Sequence, residues 1–346
     1  MCARAPVGGA LCSSRTRMGS PRRCAIYLLP LGWVLTRSAL QTWEPALLDL
    51  LALPAGARVD EVWSWEATHH GASAVLNAAA GAPLAACDWS DDARDVLNFL
   101  LHFLPSSIEP GELPAELPRI APEESALRTV RGFGTARELF AVGHSFGGCC
   151  CTWAALAQPR LFTALTLVDP VILRFDTPRD TPTLAEGAVA RRDTWPSREE
   201  AHAAFAANPF FAAWDPRVLA AYIAHGLIPA PSGGVCLAMP SLQEALVFAG
   251  TNTSAPVWDM LPALEARVPL RFVVPGREGA PEIGEPGQTR ERVWRRPANT
   301  TNVRLPGAGH LIVQEAPREM ALEIAAMLEA DGEGPGAGPE AAAARL

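Results

Sequence analysis

Lysine is absent from this chain: all 29 cationic side chains among its 346 residues are arginine. That absence excludes a Walker-A lysine, a Schiff-base lysine for pyridoxal phosphate and a Ser-Lys catalytic dyad. A basic face is lacking too. The formal net charge of −8 and a pI near 5.5 argue against a nucleic-acid partner, which needs cationic density along a phosphate backbone. No apolar run reaches the roughly 18–20 residues that a bilayer-spanning helix requires. Eight cysteines are present but form no framework. Cys2, Cys12 and Cys24 lie near the N-terminus, Cys87 and Cys236 stand alone, and Cys149, Cys150 and Cys151 are adjacent. That spacing suits neither a metal site nor a set of disulfides, so the adjacent three read as core thiols in a reducing compartment. The sequons at Asn252 and Asn299 are then incidental.

Acidic residues are missing from the first stretch of chain: Arg4, Arg15, Arg17, Arg22, Arg23 and Arg37 all precede the first of them, Glu44. An arginine-bearing, acid-free segment resembles a mitochondrial presequence, and residues 25–35 have the look of a short signal-peptide core. The opposite end reads Ala344-Arg345-Leu346, a small-basic-leucine tripeptide of the kind that the peroxisomal import receptor reads. The expectation is therefore peroxisomal, with mitochondrial or cytoplasmic residence as the alternatives.

What is present is a globular composition, 49 % hydrophobic and 19 % charged, sufficient for a full core in one large domain or two. Its most informative segment is Leu139-Phe140-Ala141-Val142-Gly143-His144-Ser145-Phe146-Gly147-Gly148, an apolar run that breaks into Gly-X-Ser-X-Gly before a helix-compatible stretch. This pattern is a nucleophile elbow. The strand-to-helix reversal is tight enough to strain the serine backbone and to demand nearly side-chain-free neighbours, and it points the hydroxyl out of the sheet. The first N–H groups of the following helix, that of Phe146 foremost, are left free to hold an oxyanion.

A triad on such a scaffold runs Ser, then Asp or Glu, then His along the chain. Residues 164–168 end in Asp169-Pro170, and residues 301–305 lead through Pro306-Gly307-Ala308-Gly309 to His310. Each of these polar residues closes a β-like run, so Ser145, Asp169 and His310 are expected to meet at the carboxyl edge of an open α/β sheet. Glu278 is an alternative acid, because it follows the strand-like run ending at Val274.

The segments around Ser145, Asp169 and His310, with Leu311-Ile312-Val313-Gln314-Glu315-Ala316-Pro317 after the histidine, resemble the serine α/β-hydrolase superfamily over about residues 41–330. In particular they are similar to fungal peroxisomal acyl-CoA hydrolases, toxin-biosynthesis hydrolases and peroxisomal lipases, where the acid follows the sixth strand. Asp169 lies 24 residues past Ser145, the interval of some members. The resemblance implies an α/β-hydrolase fold: a mostly parallel twisted sheet with helices on both faces and an inserted helical cap. It also implies a second oxyanion donor from a His-Gly or Asn-Gly turn after the first core strand. This sequence has Pro30-Leu31-Gly32-Trp33 there instead, with Gly32 as the candidate donor after a strand over residues 24–31.

Five segments are expected: a divergent N-terminal segment (1–40), core (41–172), helical cap (173–261), core (262–330) and a tail (331–346) carrying the targeting tripeptide. Within the core, residues 59–65 read as a strand leading into His69-His70-Gly71-Ala72-Ser73, where His70 orders a loop. Residues 89–104 carry apolar positions at helical spacing, and the proline-rich stretch 109–122 reads as a loop. In the cap, helices are expected over 198–207, 215–225 and 241–249. Phe205, Phe210, Phe211, Trp214, Tyr222, Phe248 and Trp258 are placed either to line an acyl pocket or to pack on one another. Arg191, Arg192 and Arg198 fit either the phosphates of coenzyme A or a solvated face.

The expected activity is hydrolysis of an ester or thioester, with an acyl-CoA or lipid-like acyl substrate, through Ser145, His310 and Asp169 and without metal or cofactor. Two alternatives remain: a hydrolase or acyltransferase of secondary metabolism, and a hydrolase-fold binding protein impaired by its oxyanion loop. Oligomeric state is not legible from the sequence.

Overall fold

The computed structural model of the chain describes residues 24–29, 41–79, 88–107, 114, 116–177 and 181–330. Its strands are β1 (Cys24–Leu29), β2 (Val59–Ser64), β3 (Glu138–His144), β4 (Ala164–Val168), β5 (Thr194–Trp195), β6 (Leu227–Pro229), β7 (Val235–Leu237), β8 (Leu270–Pro275) and β9 (Thr300–Leu305). Six of them form one sheet in the order β2-β1-β3-β4-β8-β9, and every pairing in it is parallel.

The central strands are apolar on both faces because both faces are covered. Leu139 and Ala141 of β3 point to one side, where the helices Trp89–His102 and Phe146–Ala157 pack. Phe140 and Val142 alternate to the other side, against the helices Glu44–Ala52 and Pro317–Ala330. The same period-two alternation places Phe272 and Val274 of β8 on the first face and Val273 on the second. Cys149, Cys150 and Cys151 are all fully buried under the first face.

Chain order reverses across the sheet between β1 and β3, since β2 flanks β1 on its outer side and the later strands extend from β3. The crevice at the carboxyl ends of those two strands is the topological switch point, the usual place for a ligand in an open α/β sheet. Ser145 follows β3 at that point.

Helix and strand positions agree closely with the periodicity of the sequence, and two differences have physical causes. A helix at Pro122–Arg131 follows the proline-rich stretch: Pro122 opens it, Glu123 and Glu124 occupy its first turn, and Arg128 returns to Glu124 at 2.6 Å. The inserted region is not purely helical either. β5, β7 and β6 form a small antiparallel sheet, and β6 and β7 are joined through Gly233 and Gly234, both at positive φ. Strands of two or three residues are too short to leave a period-two signal.

The insertion has its own apolar cluster, built by Trp195, Phe205, Phe211, Trp214, Tyr222 and Leu237. From Met239 onward the chain rejoins the main core, because Met239, Val247, Val257, Trp258 and Leu261 pack with the helices beneath the sheet. The cap's own cluster therefore ends well before residue 261. Residues 1–23, 30–40 and 331–346, including Gly32 and Ala344-Arg345-Leu346, lie outside the described residues.

Candidate active site

The elbow is built by close backbone approach. Ser145 sits between β3 and the helix Phe146–Ala157 with φ 54° and ψ −121°, a region that L-residues rarely occupy. A Cβ added at Gly143 would lie 2.6 Å from the Gly147 carbonyl oxygen, and one added at Gly148 would lie 2.7 Å from Cβ of Pro170. Only glycine lets the strand, the helix and the Asp169-Pro170 segment approach this closely. The serine backbone is pinned from several sides: its N–H donates to the Val168 carbonyl at 3.0 Å, and its carbonyl accepts from Gly148 and Val171, each at 3.0 Å.

Asp169 follows β4 with φ 36° and donates its N–H to the Val273 carbonyl at 2.8 Å. The next strands then deliver the imidazole. Gly276 and Arg277, after β8, both donate to the carbonyl of Ala308, which sets the loop between β9 and His310. Glu315 accepts from the Gly309 N–H and from Arg277 Nη1, tying that loop a second time.

These strand ends bring three side chains into one line. His310 Nε2 lies 3.2 Å from Ser145 Oγ, and His310 Nδ1 lies 2.6 Å from Asp169 Oδ2. An ionised carboxylate only accepts, so Nδ1 carries the proton and Nε2 is free to accept from the serine hydroxyl. Burial by itself would push the Asp169 carboxyl up. The hydrogen bond from His310, together with electrostatic attraction from His310 and the Arg292 cation, outweighs it and holds the group below the ordinary carboxylate range. Glu278 is exposed on the loop after β8.

The histidine beside Ser145 has a separate task. His144 is fully buried, and its Nε2–H donates to the backbone carbonyl of His310 at 2.7 Å. Burial, helped by charge at His310, pushes its pKa down to about 3, so it is a neutral tether at working pH. Phe146 heads the helix after Ser145, where an N–H has no intrahelical acceptor. Its ring is held between His70, stacked at 5.6 Å, and Trp89 at 5.6 Å.

The aromatic residues of the insertion pack chiefly on one another. Phe205 contacts Trp195, Phe211 and Tyr222, and Trp214 contacts Phe211 and Tyr222, with ring centroids 5.0–5.4 Å apart. Phe210 is exposed, Phe248 belongs to a smaller cluster with Ala188 and Ala245, and Trp258 lies in the main core beneath Arg295. The three arginines considered for coenzyme A are engaged within the fold. Arg191 pairs with the buried Glu244, Arg192 lies over Trp195, and Arg198 donates to the carbonyls of Ile223, Ala224 and Leu227 at the end of the helix Pro216–Gly226.

His144 and Arg292 are functional candidates that sequence reasoning passed over. His144 had a signal, its place as the residue before Ser145 in the Gly-X-Ser-X-Gly string. Arg292 had none, because its contact with Asp169 arises only from packing. No described helix is long and apolar enough to cross a membrane.

A parallel sheet clothed by helices, with a serine elbow after a central strand and an insertion after β4, defines the class: this chain has the α/β-hydrolase fold. The peroxisomal α/β-hydrolase Lpx1 of Saccharomyces cerevisiae superposes with a TM-score of 0.69 at 19 % identity, over 98 % of this chain and 90 % of that one. The type I acyl-CoA thioesterase mpaH of Penicillium brevicompactum is 31 % identical over 167 residues, which is 46 % of this chain and 31 % of that protein. The abhydrolase domain-containing protein AFT2-1 of Alternaria alternata is 34 % identical over 113 residues, 31 % of this chain and 42 % of that protein. The match thus spans less than half the length of either curated relative. No family model matches the chain.

Proposed function

We propose that this protein is a serine hydrolase that cleaves an ester or thioester, with an acyl-CoA or lipid-like acyl compound as substrate. The observation that carries the reading is the Ser145–His310–Asp169 line of hydrogen bonds, 3.2 Å and 2.6 Å long. His310 Nε2 takes the Oγ proton as Ser145 attacks the acyl carbonyl, and Asp169 stabilises the imidazolium that forms. The Phe146 N–H stabilises the oxyanion. His310 then returns the proton to the departing alcohol or thiol. Water, deprotonated by the same imidazole, releases the acid from the acyl-enzyme.

The thioester preference draws support from the likeness to a protein named an acyl-CoA thioesterase. Peroxisomal residence belongs to the same proposal, with the likeness to a protein named a peroxisomal hydrolase in its favour. The test is release of free thiol from a series of acyl-CoAs of increasing chain length by the native protein and by Ser145→Ala. Turnover that requires Ser145 supports the reading. Turnover of ester substrates alone would remove coenzyme A from it, and no turnover of either class would favour a binding protein.

A further inference from the structure

Arg292 is the one arginine that reaches the acid of the proposed triad in the described structure, and its surroundings are unusual for a cation. It sits on the short helix Gln288–Val293 and is fully buried, among the largest side chains in the protein with no exposed surface. Nη2 donates to Asp169 Oδ1 at 3.2 Å and to Thr289 Oγ1 at 3.2 Å, while Nη1 donates to the Ile283 carbonyl at 3.1 Å. Asp169 therefore divides its two oxygens between two partners, Oδ1 to Arg292 and Oδ2 to His310. Burying a guanidinium and a carboxylate together is costly, and similar volume could be filled by apolar side chains at no loss of stability. The pair is accounted for if it does something to His310 that packing alone would not.

We propose that Arg292 is a positioning residue for the reaction: it fixes the Asp169 carboxylate so that Oδ2 meets His310 Nδ1, and it offsets part of the negative charge that the imidazole would otherwise face. This inference rests on the triad reading above. The charged and titratable groups concerned are few. Asp169 is faced by His310, Arg292 and His144, and Arg292 is faced by Asp169 and Glu282. Arg292 remains a cation despite burial, because a guanidinium does not lose its proton in proteins. With it in place, the carboxylate stabilises the imidazolium less than an unpaired buried carboxylate would, so the imidazole keeps its acceptor nitrogen free down to lower pH.

The experiment measures the rate of Ser145 labelling by a fluorophosphonate probe as a function of pH, in the native protein and in Arg292→Met and Arg292→Lys. In Arg292→Met the acid limb of the labelling rate should move upward by about one to two pH units. That is the shift for removing a unit charge several ångströms away at an effective dielectric near 20. The plateau should fall by roughly ten- to a hundredfold as the carboxylate loses its fixed orientation. Arg292→Lys, which keeps the charge, should leave the limb near its native position. A merely structural arginine would lower the rate in both variants with the limb unmoved, and that result overturns the proposal.

A stability cycle reads the same pairing without catalysis. Arg292→Met should lower Tm by on the order of ten degrees by leaving the buried Asp169 Oδ1 without its cationic partner, and adding Asp169→Asn should recover most of the loss. No recovery in the double variant counts against the inference, including in a protein that shows no labelling at all. If the triad reading fails, Ser145 is not labelled. If only this inference fails, Ser145 is labelled normally and the limb stays in place.

Discussion

Asp92 shows how an individual residue is tuned by its surroundings. It lies on the helix Trp89–His102, almost wholly buried, and among the described residues its Oδ1 has no hydrogen-bond partner. Burial, reinforced by the charge of Asp95, pushes its pKa up to about 7 despite a hydrogen bond from the Thr68 backbone. The folded state thus holds a proton that the unfolded chain releases near pH 4, so between about pH 4 and 7 stability falls as pH rises. Asp92→Asn removes that dependence. It should raise Tm at pH 8, by an amount set by a penalty on the order of a few kcal/mol, and should change little at pH 4. Melting curves at the two pH values check this, and an equal shift at both would contradict it. The meeting of Ser145, Asp169 and His310 side chains was legible at this scale because each follows a strand within a short string of distinctive residues. Asp92 and Arg292 were not, since in the sequence they look like ordinary charged residues of amphipathic helices and acquire meaning only when packing removes their water.

At the scale of elements, the elbow joins β3 to the helix Phe146–Ala157 through backbone contacts that leave no room for a side chain. Gly143→Ala must drive its methyl into the carbonyl of Gly147, which is itself fixed in a helix. The expected cost is about 3 kcal/mol in chemical denaturation, with loss of the serine geometry. Gly187→Ala is the matched control, because nothing lies within 4 Å of a Cβ there and the residue is inside the helix Thr181–Ala190. That change should be neutral or stabilising by up to roughly 1 kcal/mol. Comparable losses in the two variants would remove the close-approach explanation. Elements with a sustained period were readable in advance, among them β3, the helix Trp89–His102 and the helix Pro216–Gly226. The two- and three-residue strands of the insertion were not, because a hairpin this short is specified by the Gly233–Gly234 turn and by burial against neighbouring helices rather than by its own alternation.

For the whole molecule, the insertion and the loop carrying His310 are one packed unit. Leu311, next to His310, is buried in the insertion's own apolar cluster with Trp214 and Tyr222. The strap is completed by the Asp215 N–H donating to the Gln314 carbonyl at 2.8 Å and by Arg217, which grips both oxygens of Asp49 at 2.9 Å. The two kinds of link differ in weight. Arg217 is half-exposed, so Arg217→Ala should cost under about 1 kcal/mol. Leu311→Ala opens a cavity between the insertion and the His310 loop and should cost about 2–4 kcal/mol, with a fall in Ser145 labelling because the imidazole loses its support. Urea denaturation with parallel labelling separates the two, and the reverse ranking would show that the ion pair, not apolar packing, holds the insertion down. That helices follow Asp169 was legible in the sequence, through the helical spacing over 198–207, 215–225 and 241–249. The insertion's attachment through Leu311 was not, since that contact joins segments about a hundred residues apart and leaves no local trace.

The central claim is that three side chains delivered by separate strand ends make one hydroxyl reactive, and site-resolved labelling tests it most directly. The native protein, Ser145→Ala and His310→Ala are each treated with a fluorophosphonate at neutral pH, and the adduct is located by peptide mapping. The account predicts a single adduct on Ser145 in the native protein, none at that site in Ser145→Ala, and labelling slowed by several orders of magnitude in His310→Ala. Folded native protein that stays unlabelled, or that labels equally fast without the imidazole, would contradict it.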